Sequence, residues 1–139
     1  MNELVRKSNR RVISISTTFP WKFFPNTIDV EESRVTFSFR QLLSFQSHSV
    51  DIKDISNVFI EAGLFFATLQ VVSRTFVQND IKIGSLRKKD AMKVRRIIEG
   101  LRILKSNDID TSNYEIPDLI NKLEELQNTD YKDSTGTEK

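Results

Sequence analysis

Ile81-Lys-Ile-Gly-Ser-Leu-Arg-Lys-Lys-Asp-Ala-Met-Lys-Val-Arg-Arg-Ile-Ile-Glu-Gly-Leu-Arg-Ile-Leu104 reads as a strand that passes directly into one basic amphipathic helix. The Gln78-Asn-Asp80 cluster before it is a turn signal, and Ile81 and Ile83 open the strand. In the helix, Ala91, Val94, Ile98 and Leu101 recur at three- and four-residue steps, with Ile97 and Leu104 widening the stripe. Ser85 or Asp90 is expected to cap its start. Lys89, Lys93 and Arg96 fall on the opposite face. Gly100 inside the helix is about 1 kcal/mol less favourable than alanine, and close packing would account for it.

Upstream of this stretch the pattern is β. Arg34-Val-Thr-Phe-Ser-Phe-Arg40 alternates, with Val35, Phe37 and Phe39 on one face and polar residues on the other, as in a half-buried antiparallel strand. Shorter strands are expected over residues 12–18, 27–30, 45–51, 57–61 and 68–74, with a helical turn at 52–55. Seven strands joined by short turns, not alternating with helices, argue for an antiparallel meander. Phe19-Pro-Trp-Lys-Phe-Phe-Pro25 is bracketed by prolines, so it is extended or turn-like.

Downstream, a linker follows Asn107. Pro117 then marks the first turn of a second helix of about 11 residues, whose stripe is Ile116, Leu119, Ile120, Leu123 and Leu126. So short a helix must dock on something to be stable. The expected organisation is a mobile basic N-terminus at 1–10, a β-rich domain at 11–105, linker and helix at 106–128, and a disordered tail at 129–139.

The chain has 139 residues, enough for one domain with a sizeable core. Its net charge of +2 hides an asymmetry: residues 87–105 hold eight basic and two acidic residues, and residues 106–139 hold three basic and nine acidic. The absence of cysteine excludes disulfides, thiolate metal sites and Cys nucleophiles. No run reaches the roughly 18 apolar residues of a membrane span, and no apolar block of signal-peptide type follows the N-terminal basic residues. A cytoplasmic protein, peripheral at the inner face of the membrane, is the expectation.

Seven strands followed by one amphipathic helix is the order of a pleckstrin-homology-like barrel, in which the helix plugs the open end of a small seven-stranded antiparallel barrel or sandwich. The chain resembles bacterial pleckstrin-homology-like domains in Phe23-Phe-Pro25, Val50-x-Ile52-x-Asp54-Ile55-x-Asn57-Val58, Leu64-Phe-Phe-Ala-Thr-Leu69 and Leu86-Arg-Lys-Lys-Asp-Ala91. The resemblance spans residues 23–104 and implies a mainly β fold with that helix, here with an extra C-terminal helix. It also implies a partner-binding scaffold without common catalysis, associated with membranes or self-assembly. Members that bind inositol phosphates use basic residues around the first hairpin turn. The matching turn here is read as Glu31-Glu32, whose carboxylates would repel a polyphosphate.

No motif points to chemistry. His48 is the only histidine, and alternation sets it opposite Ser49 and Asp51, so no catalytic dyad forms by sequence. The four glycines make no phosphate cradle, and Asp108, Asp110 and Glu115 miss the calcium-loop spacing. No catalytic residue, cofactor, metal or small-molecule substrate is expected. The candidate anionic-surface contacts are Arg87, Lys88, Lys89, Lys93 and Arg96, and the candidate interfacial anchor is Trp21, Phe23 and Phe24. The expected function is a non-catalytic module that binds a membrane surface or a protein partner, or self-assembles. Nucleic-acid binding through the basic helix, residues 87–102, is the alternative.

Overall fold

The computed structural model describes residues 10–18, 24–75 and 80–135, with backbone alone from 127 onward. The expected mobile N-terminus, apart from Arg10, therefore lies outside the described residues. Seven strands form two antiparallel sheets. The first has the order β1 (Arg11–Ser16), β2 (Thr27–Glu31), β3 (Arg34–Arg40), β4 (Phe45–Asp51). A single 3₁₀ turn, Ile52–Asp54, leads into the second sheet: β5 (Ile55–Ala62), β6 (Phe66–Ser73), β7 (Asp80–Arg87). Helices α1 (Lys88–Ser106) and α2 (Ile116–Thr135) follow.

Alternation explains β6, where Ala67, Leu69, Val71 and Ser73 are buried in turn. It fails in β1, β5 and β7 for one reason. Each carries a register irregularity, and each buries residues three apart: Val12 and Ile15, Ile55 and Val58, Ile83 and Leu86. An extra residue in a strand bends it and raises its twist, which is how small sheets curl over a shared core. Ser85 sits at the β7 irregularity with φ of 58° and no glycine, so this corner is held in a left-handed conformation. Its carbonyl accepts the Thr18 amide at 2.9 Å, tying the end of the first sheet to the second. The expected Ser85 or Asp90 cap is not used; the residue before α1 is Arg87, with no side-chain cap.

The apolar stripe of α1 is fully buried: Ala91, Val94, Ile97, Ile98, Leu101 and Leu104. It packs on the 3₁₀ turn and on β5, β6 and β7, so the helix covers the second sheet. Gly100 has its packing reason. A Cβ there would lie 2.9 Å from Leu123 Cδ2 and 3.2 Å from Leu123 Cα, so only glycine lets α2 approach this closely. Leu119 and Leu123 are buried where the helices meet, and α2 docks on its own chain. The α2 backbone continues to Thr135, longer than its apolar stripe suggests and through most of the expected tail.

An ion pair fastens the N-terminal edge. Arg10 Nη2 donates to Glu32 Oε1 at 2.8 Å, and also to the Thr111 and Tyr114 carbonyls. Glu32 is 1% exposed. The hydrogen bond from Arg10 to Glu32 holds the guanidinium pKa above its ordinary value, against the opposing effect of burial. One residue thus joins β1, the β2–β3 turn and the segment between the helices.

Candidate functional site

The β3–β4 hairpin ends in Gln41-Leu-Leu-Ser44, closed by the Gln41 amide donating to the Ser44 carbonyl at 2.9 Å. Leu42 is 75% exposed, Leu43 95% and Phe45 59%. Two adjacent leucines on a hairpin tip have nothing to pack on in a monomer, and contiguous exposed apolar groups mark an interaction surface. The Arg40 guanidinium lies 5.9 Å from the Phe45 ring centroid, so a cation sits on the flank of the tip.

Asn26 anchors the chain at the same end of the sheet, two residues after Phe24. It is buried; its side-chain Oδ1 accepts the Arg40 backbone N–H at 3.0 Å, and its own backbone N–H donates to Thr17 Oγ1 at 3.0 Å. The chain leading into it carries Phe24, 43% exposed. Of the expected anchor, Phe24 is thus exposed beside the β3–β4 tip, while Trp21 and Phe23 lie outside the described residues. The sequence from Gln41 to Val50 carries no Asp, Glu, Lys or Arg, and that from Phe19 to Ile28 carries no acid. The β3–β4 tip itself, residues 41–45, is therefore free of acidic side chains, and the carboxylate that shares a groove with Pro25 is Asp90.

The expected basic face on α1 is divided. Arg87 and Lys89 are exposed, Lys88 and Lys93 half-buried. Arg96 lies 3.7 Å from Glu124 of α2, because the acidic helix docks alongside. Arg95, which the pattern does not single out, is exposed. Lys93 lines a groove of about 740 Å³ with Asp90, Arg87 and the edge of β1. The five candidates do not form one uninterrupted surface.

Glu31 ends β2 and Glu32 lies in the β2–β3 turn, which is not the first hairpin turn, because β1 precedes β2 and is joined to it by residues 17–26. Neither carboxylate is free: Glu31 pairs with Arg34 at 2.9 Å and Glu32 with Arg10. The expected repulsion at that turn therefore carries no weight. His48 is exposed, with its ring edge-on to Phe39 at 6.1 Å. Among the described residues no three His, Asp or Glu side chains converge as metal ligands, and no helix is long and apolar enough to cross a membrane.

The aromatic residues do not all turn inward as the alternation of β3 suggests. Phe24, Phe45, Phe59 and Phe65 are exposed, and Leu64 with Phe65 forms a second apolar tip on the β5–β6 hairpin. No family model, no curated protein and no solved structure matches the chain.

Proposed function

We propose that the protein is a non-catalytic, pleckstrin-homology-like interaction module that attaches peripherally to an anionic membrane surface through its β3–β4 tip. The observation that carries this reading is the exposure of Leu42 and Leu43, with Phe45 and Phe24 at the same end. Burying a fully exposed leucine or phenylalanine contributes roughly 1.5–3 kcal/mol, so Leu42, Leu43 and Phe45, scaled by their exposure, together supply roughly 3–7 kcal/mol before the costs of association. That alone gives weak attachment. Attraction of basic residues such as Arg40 to anionic lipid adds about 1 kcal/mol each at the surface. The strand order, four then three then one covering helix, supports the pleckstrin-homology-like assignment. Co-sedimentation with phosphatidylserine vesicles tests the reading: the protein binds, salt weakens it, and Leu42→Ser/Leu43→Ser removes it. Absence of binding at low salt refutes it.

One observation favours a second reading, self-assembly. β4 is an edge strand with six of its seven residues exposed, and it carries no lysine, arginine or proline along its length. Edge strands are ordinarily blunted by such residues. Light scattering after size exclusion decides: a dimer that dissociates on Ser47→Lys supports β4 pairing, and a monomer excludes it.

A further inference from the structure

Four basic side chains from separate parts of the chain converge on one cavity of about 380 Å³. Lys53 comes from the 3₁₀ turn, Arg74 follows β6, and Arg102 and Lys105 lie in the last turns of α1. The one acid lining it is Glu99. That carboxylate is already committed: Arg102 Nη1 donates to both its oxygens at 3.0 Å. Arg102 Nη2 donates to the Ser56 carbonyl at 3.0 Å, which pins the guanidinium at the wall. No ion pair neutralises Lys53, Arg74 or Lys105 among the described residues.

The position of Lys105 alone is explained by its helix end, where cations offset the dipole. Lys53, Arg74 and Lys105 are exposed and Arg102 is paired with Glu99, so three solvated cations from three parts of the chain line the site with no free acid among its lining residues, a net positive charge that favours an anion. Guanidinium forks and ammonium groups together match phosphate oxygens in geometry and charge. The volume is that of a small-molecule site. Ile103 supplies an apolar wall beside the charges.

We infer that this cavity binds a compact soluble molecule carrying at least two phosphate groups. A soluble ligand fits better than a lipid headgroup, because the site adjoins the end of β4 remote from the Leu42–Leu43 tip. The seven residues of β4 separate the two by roughly 20 Å.

Titration calorimetry with pyrophosphate tests this on the full chain. The expected result is saturable binding that Lys53→Gln/Arg74→Gln weakens about tenfold or more. Two controls with readouts of their own are Lys89→Gln/Arg95→Gln, which removes the same charge from the exposed face of α1, and Leu42→Ser/Leu43→Ser. Both are expected to bind pyrophosphate as the parent does, so the outcome is independent of membrane attachment. Equal weakening by Lys89→Gln/Arg95→Gln, or absence of pyrophosphate binding at millimolar concentration, overturns the inference. So does binding only to phosphatidic acid vesicles that is lost in Lys53→Gln/Arg74→Gln, which would assign the site to a lipid.

Discussion

Replacing Gly100 by alanine distinguishes a docked α2 from a free one by the sign of its effect. In an open helix this change stabilises by about 1 kcal/mol, because alanine loses less backbone entropy and is the better helix former. Here the added methyl would meet Leu123 at three atoms: Cδ2 at 2.9 Å, Cβ at 3.0 Å and Cα at 3.2 Å. A rotamer change of Leu123 clears only Cδ2. The other two atoms are fixed to the backbone, so relieving those clashes requires α2 itself to move, in an interface where Leu119 and Leu123 are fully buried. Overpacking of this kind costs about 1–3 kcal/mol, which exceeds the propensity gain. We expect a net loss of about 1 kcal/mol, or a midpoint lower by about 4 °C for a chain of this length. Urea unfolding followed by far-UV circular dichroism measures the free-energy loss, and thermal unfolding the shift in midpoint. A variant more stable than the parent by about 1 kcal/mol would mean that α2 does not rest on Gly100, and the described packing would be wrong.

Arg10→Ala strands the buried Glu32 carboxylate and is expected to destabilise by about 3 kcal/mol. Glu32→Gln keeps an acceptor for Arg10 and is expected to lose about half as much; equal losses in urea unfolding would show that the charge of the pair does not fasten this edge. Because the Arg10 pKa is raised by its bond to Glu32, its contribution is fully present below the ordinary arginine value and declines only as pH rises above it. Stability from this group should therefore be flat across the neutral range, which denaturant midpoints measured at several pH values would check. Asn26→Ala leaves the Arg40 amide without its acceptor and should lower stability by about 1–2 kcal/mol, while Asn26→Asp, which retains the acceptor, should lose less.

What the sequence displays is periodicity, and periodicity locates the elements that obey it. The α1 stripe and the inward residues Val35 and Phe37 are buried as the spacing requires. The bulged strands are harder to read, since a three-residue step between buried positions matches no strand period. Ser85 looks like a cap for α1 but is recruited instead to the joint between the sheets. Gly100 carries a visible signal, an unfavourable residue inside a helix, but its partner Leu123 lies 23 positions away.

The candidate surfaces are less legible than the fold. Leu42 and Leu43 look like ordinary core residues, and only the hairpin geometry reveals that they have nothing to pack against. Glu31 and Glu32 look free until Arg34 and Arg10 are placed beside them. The cations of the cavity are spread from Lys53 to Lys105, and no local pattern connects them. The conspicuous charge run on α1 promises more than it delivers for the same reason, because the partner of Arg96, Glu124, belongs to a different helix.

The proposal of membrane attachment is tested most directly by sedimentation with phosphatidylserine vesicles at low and at physiological salt, parent against Leu42→Ser/Leu43→Ser. The parent is expected to sediment with the vesicles, more strongly at low salt, and Leu42→Ser/Leu43→Ser to remove this without changing the unfolding midpoint. Equal sedimentation of parent and variant, or none by the parent at either salt, would contradict it.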